Sequence, residues 1–308
     1  MFTDLNGIRR YKINLHTHTT MSDGHRTPTE AMAIYAAEGY DMLAITDHWC
    51  FTPGGAYDLR MPDGSVRHMT LISGCEYDAG GGESRDGVFH VLALGCETEP
   101  RLDRSIQTDA SLTTVDRARL FIDRIHEAGG LAVLAHPAWS LNTYEQLKAV
   151  APFDATEIYN SVSEWGMSDR PYSGLAVDEL AAGGMYLPLL ATDDTHYYDG
   201  DQCRGRIMAE ADAVDSLGII EAIRQNRFYA TTGPEVLIER VDEDTVRVKC
   251  SPAVKIAFLS HLVWVSGRMV RGENLTEAVY RLRKDERYVR AEVTDAQGRQ
   301  AYSPIIVR

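Results

Sequence analysis

The sequence predicts an α/β fold in which a barrel, or a barrel-like arrangement of parallel strands, is followed by a small antiparallel β domain. Up to about residue 230, short apolar runs alternate with amphipathic stretches, as in repeated β/α units. From residue 235 onward, apolar residues recur at every second position, which is typical of half-buried antiparallel strands. We therefore expect a barrel domain over residues 1–234 and a small, sandwich-like β domain over residues 235–308 that packs on it.

Seven apolar runs in the first part are the candidate strands. They cover residues 11–16, 42–47, 70–76, 88–95, 131–135, 155–159 and 187–192. Their continuous apolar character favours buried parallel strands over half-exposed ones. Helices are expected at residues 27–37, 113–127 and 175–182, each followed closely by glycine, and a last helix is expected from residue 215 to 225.

The composition excludes several classes of function. The chain has 31 basic and 45 acidic residues, and its net charge of −14 argues against binding duplex nucleic acid through phosphate attraction. The start lacks the apolar stretch of a signal peptide, and no run approaches the roughly 20 apolar residues of a membrane span. We expect a cytoplasmic protein without a membrane partner.

The five cysteines are not expected to form a functional site. They are odd in number, widely spaced and without a CxxC pair. Neither a disulfide framework nor a thiolate zinc site is therefore indicated, and the cysteines are interpreted as small core residues.

Histidines mark the ends of the predicted strands. Six of the ten are placed at the C-terminal ends of apolar runs: His16, His18, His48, His90, His136 and His196. In a barrel of parallel strands these ends share one opening. The same rim would carry further polar side chains, namely Asp23, Asp47, Glu76, Glu157, Asn160, Asp193 and Asp194.

This combination of residues predicts a centre of two or three metal ions, especially if Glu76 bridges a pair. Imidazole and carboxylate together suit zinc, manganese or iron, and the absence of a thiolate partner argues against a structural zinc site. A bound dication lowers the pKa of its water toward about 7 and so supplies hydroxide. The expected reaction is hydrolysis of a polar ester, and phosphate esters fit best because dications offset their negative charge.

Several motifs, in order, resemble the PHP family, named for polymerase and histidinol phosphatase domains. INLHTHTTMSDGHRTPTEA resembles the opening motif, LAITDH the second, and SGCEY, FHVLALG, LAHPAW and ATDDTH those that follow. The similarity covers about residues 11–233 and includes RFYATTGP. It implies a distorted (β/α)7, TIM-like barrel that holds up to three metal ions.

The resemblance also implies a distribution of ligands. His16, His18 and Asp194 with Glu76 would bind the first ion, Glu76, His90 and His136 the second, and Asp23, His48 and His196 the third. All nine positions carry a permitted ligand. The C-terminal segment YVRAEVTDAQGRQAYSPIIV resembles the tail of a subgroup similar to carbaryl-hydrolase-like PHP proteins, which weakens transfer of histidinol-phosphatase or polymerase substrates.

Other rim residues are assigned supporting roles. Asp47 and Asp193 are expected to hydrogen-bond imidazoles or bound water. Glu157 and Asn160 end a strand at the same rim and are expected to contact a ligand side chain or the substrate. Aromatic residues on or near the rim loops could stack on a substrate ring, or could pack the loops against the top of the barrel. They are Trp139, Tyr159, Trp165, Tyr197 and Tyr198.

Three polar residues are candidates for handling the substrate. His25, on the first rim loop, could protonate a leaving group. Arg204 and Arg206 follow the ATDDTH loop and could bind a phosphate with paired donors, although solvated arginines are common in such loops.

These observations lead to one main hypothesis and two alternatives. The main hypothesis is a metal-dependent phosphoesterase that cleaves a small phosphate mono- or diester with a metal-bound hydroxide. The second is hydrolysis of a carbamate or amide at the same metal centre, which the tail resemblance suggests. The third, from another class, is a non-catalytic, metal-loaded binding module whose β domain recognises a partner.

Overall fold

The structure, a computed structural model, describes residues 2–81, 86–211 and 213–308. Its strands are β1 (Phe2–Thr3), β2 (Arg9–Asn14), β3 (Met42–Ala44), β4 (Gly55–Arg60), β5 (Val66–Ile72), β6 (Gly74–Ala79), β7 (Phe89–Leu94), β8 (Leu131–Leu134), β9 (Ala155–Asn160), β10 (Leu189–Thr192), β11 (Arg206–Ala209), β12 (Phe228–Thr231), β13 (Val236–Arg240), β14 (Thr245–Leu259), β15 (Met269–Arg281), β16 (Tyr288–Thr294), β17 (Gln300–Tyr302) and β18 (Ile306–Val307). Its α-helices are α1 (Pro28–Ala37), α2 (Thr114–Glu127), α3 (Tyr144–Val150), α4 (Gly174–Ala182) and α5 (Ser216–Arg224). The fold is therefore mixed α/β, as predicted.

The helices begin where local capping signals place them. Thr27 and Thr113 each accept a hydrogen bond from the backbone amide three residues later, and the acidic side chain at that position accepts one from the backbone amide of the threonine. Asp215 caps α5 in a similar way, through Gly218 N. The sequence prediction missed α3, although Thr143 opens it with another capping box. In the described part of the chain, no helix is long and apolar enough to cross a membrane.

The smaller sheet has the order β10-β9-β8-β7-β6. Strands β8, β9 and β10 are parallel, whereas β7 is antiparallel to both β6 and β8. The expectation of a parallel strand over residues 88–95 is therefore wrong. Only residues 80–88 separate β6 from β7, which is fewer than the dozen or more residues that a parallel crossover requires.

The predicted strand over residues 70–76 is two strands that belong to different sheets. β5 pairs with β3 and β4 in the larger sheet, whereas β6 belongs to the smaller one. Ser73 separates β5 from β6, and a Cβ on Gly74 would lie 2.6 Å from the carbonyl oxygen of Ile45. Glycine is thus required where β6 passes close to the strand beside it.

The larger sheet has 13 strands, with the main order β13-β14-β16-β17-β12-β11-β2-β3-β5-β4. The strand ladders of the described residues do not close into a barrel. The two sheets instead meet at two isolated parallel bridges, Thr17–Thr195 and His48–Glu76. Both bridges involve residues beside or within the predicted metal site, so the ends of β2, β3, β6 and β10 lie close together.

The C-terminal strands continue the larger sheet. Strand β17 pairs with β12 through Ala230–Tyr302 and Thr231–Ala301, and strands β13 to β18 are antiparallel. The predicted alternation in this part is observed, because its apolar positions are buried: Val246, Val248, Cys250, Val289, Ala291 and Val293. They form a core with Met208 and Tyr229 of the preceding strands.

Candidate metal centre

The structure brings all nine predicted metal ligands into one group, here called the His/carboxylate cluster. Its members are His16, His18, Asp23, His48, Glu76, His90, His136, Asp194 and His196. Each has a nitrogen or carboxylate oxygen within 4.0 Å of another member. The cluster lies at the strand ends where the two sheets meet.

Glu76 is at the centre of the cluster, and its side chain is only 1% exposed. Its Oε2 lies 3.2 Å from His16 Nε2 and 3.0 Å from His18 Nε2. Its Oε1 lies 2.9 Å from His90 Nδ1 and 3.5 Å from His136 Nε2. Imidazoles therefore approach both oxygens, which is the geometry that a carboxylate bridging two ions requires.

Asp194 completes the first group of donor atoms. Its Oδ1 lies 3.0 Å from His16 Nε2 and 3.1 Å from His18 Nε2. With Glu76, these residues place four donor atoms within 4.8 Å of one another. This is the same set that the motif resemblance implies for the first ion.

A second group surrounds Asp23. Its Oδ1 lies 3.5 Å from His18 Nδ1 and 3.5 Å from His196 Nε2, and its Oδ2 lies 3.9 Å from His48 Nε2. This group is the set implied for the third ion with His18 added. Asp23 is 56% exposed at its side chain, so this group is placed at the mouth of the site.

The third group differs from the implied set. It consists of His48, Glu76 and His90, whereas the resemblance implies Glu76, His90 and His136. His136 Nε2 still lies 3.5 Å from Glu76 Oε1 and 3.8 Å from Asp194 Oδ2. His136 is thus between the first and third groups.

The residues fit metal ions on the chemistry of their atoms as well as on their spacing. Asp194 Oδ1 and His48 Nδ1 are buried, and although ionisable groups lie 3.0–3.6 Å from them, neither atom has a partner in hydrogen-bonding geometry among the described residues. Such atoms cost about 1–3 kcal/mol each unless a partner, here a cation, compensates. His136 and Asp194 have φ values of 28° and 53°, and strain of this kind in non-glycine residues concentrates at functional sites.

The segment His16–His18 reaches the site just beyond β2. Thr17 bridges to Thr195, while His18 N donates to the Thr195 carbonyl oxygen at 2.9 Å. The loop then folds back over His18. A Cβ on Gly24 would lie 2.4 Å from the His18 carbonyl group, so the SDG turn needs glycine to bring Asp23 beside the imidazoles.

His90 reaches the rim from the N-terminal end of its strand and not from the predicted C-terminal end. It is the second residue of β7 and not the last residue of a strand. Because β7 is antiparallel to its neighbours, its N-terminal end lies at the same rim as the C-terminal ends of β8 and β9. The prediction that His90 stands at the C-terminal end of a strand is therefore wrong, although the residue does reach the cluster.

Glu157 and Asn160, both on β9, form hydrogen bonds with members of the cluster. Glu157 Oε1 lies 2.7 Å from His16 Nδ1, and Oε2 accepts a hydrogen bond from His136 N at 2.9 Å. Asn160 Nδ2 donates to Asp194 Oδ2 at 3.1 Å. If His16 Nδ1 carries the proton toward Glu157, the His16 Nε2 lone pair faces Glu76 and Asp194.

Asp47 forms no hydrogen bond to an imidazole among the described residues, which leaves bound water as its other predicted partner. Its Oδ1 accepts hydrogen bonds from Thr19 N at 2.7 Å and Ser22 Oγ at 2.6 Å, and its Oδ2 accepts one from Thr19 Oγ1 at 2.6 Å. Asp47 therefore fixes the loop that carries Asp23, and its effect on the cluster is indirect.

Asp193 likewise forms no hydrogen bond to an imidazole among the described residues, so only the predicted contact with bound water stays a prediction. Its carboxylate accepts hydrogen bonds from the amides of Cys203, Arg204 and Gly205 at 2.6–3.0 Å and from Tyr35 Oη at 2.7 Å. Burial raises the pKa of Asp193 to about 7, although these hydrogen bonds lower it. Asp193 thus anchors the following loop while its neighbour Asp194 faces the cluster.

Charges within the cluster compensate one another. Burial alone would lower the pKa of His18, but the carboxylates of Asp194 and Glu76 raise it to about 10. Conversely, burial would raise the pKa of Glu76, but the surrounding imidazoles hold it well below its usual value. The site therefore favours ionised carboxylates facing cationic partners, which dications can replace.

The three predicted substrate residues lie outside this cluster. His25 is exposed, and its ring meets the edge of Tyr197 at 5.4 Å between centroids. Arg204 forms an ion pair with Glu164 at 2.8 Å, and Arg206 donates to the carbonyl oxygen of Gly233. None of the three lines the cavity of about 140 Å³ that opens onto the cluster.

Two residues near the cluster were missed from sequence. Asp78 Oδ1 lies 3.6 Å from His48 Nδ1 and accepts a hydrogen bond from Trp49 Nε1 at 2.6 Å. Because Asp78 is two residues from Glu76 on β6, strand alternation could have indicated that both face the site. Arg104, which no motif marks, lines a cavity of about 450 Å³ together with His48.

The overall fold of the chain is similar to that of a solved two-domain structure. A two-domain protein of Bacteroides vulgatus, which contains a predicted PHP-like metal-dependent phosphoesterase, superposes with a TM-score of 0.52 at 17% identity. The alignment covers 99% of this chain and 98% of that one. The resemblance to the PHP family is thus confirmed in the fold, while the chain matches no protein-family profile.

Two curated relatives match part of the sequence. The chain is 31% identical over 122 residues to the 3′,5′-nucleoside bisphosphate phosphatase of Chromobacterium violaceum, covering 35% of this chain and 41% of that protein. It is 28% identical over 172 residues to a 5′-3′ exoribonuclease of Haemophilus influenzae, covering 53% and 57% respectively. The chain therefore spans about half the length of these relatives.

Proposed function

We propose that the protein is a metal-dependent phosphoesterase that cleaves a small phosphate mono- or diester. The observation that carries this proposal is the convergence of buried imidazole nitrogens on both oxygens of Glu76 beside Asp194. The names of the two curated relatives, a nucleoside bisphosphate phosphatase and an exoribonuclease, support a phosphate ester of nucleotide type. The net charge of −14 favours a small substrate over duplex nucleic acid.

Two or three divalent ions would be held by the three groups of donor atoms, with Glu76 shared between two of them. Zinc, manganese and iron all suit this donor set. Once bound, such ions supply an acidified water as nucleophile and neutralise charge on the phosphate.

The chain itself orients the ligands and shapes the reaction space. Glu157 fixes the ring of His16, and Asn160 fixes Asp194. Trp139, Val162 and Met167 form an apolar wall of the small cavity and limit the access of bulk water.

Arg104 is better placed than Arg204 or Arg206 to bind a substrate phosphate, because it lines the cavity of about 450 Å³ that also contacts Asp23 and His48 of the cluster. We retain His25 as a candidate proton donor for the leaving group, since its loop follows Asp23 directly.

The finer architecture is also a proposal. The bridges Thr17–Thr195 and His48–Glu76 support a distorted barrel of seven strands, β2, β3 and β6 to β10, within residues 1–234. Residues 235–308 would form the second domain, with the tail of the carbaryl-hydrolase-like subgroup. A cytoplasmic location is proposed on the sequence alone.

The test is turnover of p-nitrophenyl phosphate and bis-p-nitrophenyl phosphate by protein reconstituted with zinc, manganese or iron. We expect one ester to be hydrolysed, and a His16→Ala/His18→Ala variant to lose the activity. The matched control is His68→Ala, since His68 is exposed and paired only with Asp58 among the described residues. Hydrolysis of carbamates or amides alone would favour the second hypothesis, and no hydrolysis by metal-loaded protein would favour a binding module.

A further inference from the structure

Two cavities adjoin on the side of the molecule where β2, β11 and β12 meet the C-terminal strands. Their volumes are about 530 and 540 Å³, and both are lined by Lys12, Arg206 and Arg299. No member of the His/carboxylate cluster lines either cavity. Three cations are thus shared by two spaces outside the metal centre, in a chain of net charge −14.

The charged groups of Lys12 and Arg206 donate hydrogen bonds to backbone carbonyl oxygens. Lys12 Nζ donates to the Glu38 carbonyl oxygen at 2.7 Å and lies 4.1 Å from the centre of the Tyr40 ring. Arg206 donates to the carbonyl oxygens of Arg204 and Gly233. Within the described ranges neither side chain forms an ion pair. Burial, and then the charge of Arg206, lower the pKa of Lys12, whereas the nearby acidic groups of Glu38 and Asp193 raise it.

Asp41 and Glu235 add acidic groups to the lining of the first cavity, and two further cations at these cavities form ion pairs. Arg204 pairs with Glu164 at 2.8 Å, and Arg299 pairs with Asp295 at 2.7 Å. Glu38 also lines the second cavity, and among the described residues it contacts Lys12 Nζ through its carbonyl oxygen and not through an ion pair. Lys12 and Arg206 are thus the cations that line both spaces without an ion pair among the described residues.

The pairing of strands explains why these two cations are neighbours. Lys12 of β2 is opposite Met208 of β11, and Arg206 is two residues before Met208 on the same strand. Successive odd or even positions of a strand share one face, so Lys12 and Arg206 project from the same face of the sheet. Their positions are fixed by two paired strands and not by mobile loops.

We propose that Lys12 and Arg206 form an anion-binding site, separate from the metal centre, which holds the phosphate group of a small molecule of nucleotide size. A guanidinium supplies paired donors to phosphate oxygens, and the ammonium adds a point charge. The cavity volumes are typical of small-molecule sites.

Aromatic side chains in both cavities suit the rest of such a molecule. Tyr229 lines the first cavity, and Tyr159 and Tyr172 line the second. Tyr172 is the exposed residue among the three, at 39%, so a ring attached to the bound phosphate would stack on Tyr172.

Calorimetric titration with inorganic phosphate, and then AMP, tests this site in protein whose metal centre is disabled by His16→Ala/His18→Ala. We expect phosphate to bind this protein, and AMP to bind more tightly than phosphate. Lys12→Gln or Arg206→Gln in the same background should raise both dissociation constants at least about tenfold, the loss expected for one charged hydrogen bond. Arg206→Lys, which retains the charge, should lose less.

The matched control is Arg101→Gln, which removes an exposed arginine outside both cavities. Absence of phosphate binding would overturn the site. A loss of affinity in Arg101→Gln as large as that in Lys12→Gln or Arg206→Gln would also overturn it. AMP binding no tighter than phosphate would overturn the assignment of a nucleotide-sized ligand. A negative result in this titration leaves the proposed phosphoesterase activity untouched, because that activity is assayed in protein whose His/carboxylate cluster is intact.

Discussion

His16 Nδ1 lies 2.7 Å from Glu157 Oε1, and both side chains are fully buried. The same Glu157 oxygen accepts a hydrogen bond from Thr192 Oγ1 at 2.7 Å, so its position is fixed by β10. Glu157 therefore determines which nitrogen of His16 carries the proton and which faces Glu76 and Asp194. A metal ligand of this kind depends on its partner for both orientation and basicity.

The first prediction is that Glu157→Gln weakens metal binding about 10–100-fold, the usual effect of removing such a partner. Competition with a chromophoric chelator measures the affinity. Glu145→Gln, an exposed change in the first turn of α3, is the control and should leave the affinity unchanged. Equal affinities in the two variants would contradict the role given to Glu157.

The second prediction concerns the shared ligand. Glu76→Gln removes the negative charge between His16, His18 and His90, so at least one ion should be lost from the metal-replete protein. Phosphoesterase activity should fall by at least about 100-fold, because the ions no longer share a ligand. Elemental analysis alongside the p-nitrophenyl phosphate assay provides the check. Full metal content with full activity would show that Glu76 does not bridge.

The third prediction separates Asp193 from its neighbour in the cluster. Asp193→Asn replaces an acceptor of three backbone amides by a group that can itself donate, and should lower the free energy of unfolding by about 1–3 kcal/mol. Urea denaturation measures the change. Asp123→Asn, on the exposed face of α2, should change stability by less than about 0.5 kcal/mol. A stable Asp193→Asn protein that has lost its metal would instead indicate direct ligation.

The fourth prediction addresses the contact between the C-terminal strands and the first part of the chain. The Arg290 side chain is fully buried, and its Nε and Nη2 lie 2.8 and 3.0 Å from the two carboxylate oxygens of Asp178 on α4. Arg290→Met leaves Asp178 and Glu292 without their cation, and should cost about 3–5 kcal/mol of unfolding free energy. Arg281→Met, at an exposed position of β15, is the control. Similar stabilities of the two variants would contradict this account of the contact.

Much of the helical structure could be predicted because its signals are local. Thr27 with Glu30, and Thr113 with Asp116, form capping boxes within four residues of sequence. The direction of β7 and the break between β5 and β6 could not be read in this way. They depend on which distant strand each segment pairs with, and apolar runs carry no information about strand direction.

The residues of the candidate site were accessible from sequence mainly by type and position. His16, Glu76 and Asp194 are at or near strand ends, and the structure brings them together. The roles of Asp47 and Asp193 were not accessible, because the direction of an aspartate at a strand end depends on the local backbone. The φ of 53° at Asp194 turns that side chain toward the cluster, whereas Asp193 faces the next loop.

The most direct test of the central claim is the metal content of the purified, reconstituted protein beside that of the His16→Ala/His18→Ala variant. Our account predicts two or three ions per chain in the native protein, because three groups of donor atoms share Glu76 and His18. The variant should lose at least the ion of the first group, while His68→Ala retains the full number. A native protein that binds no ion after reconstitution with zinc, manganese or iron, or a variant with unchanged metal content, would contradict the metal centre.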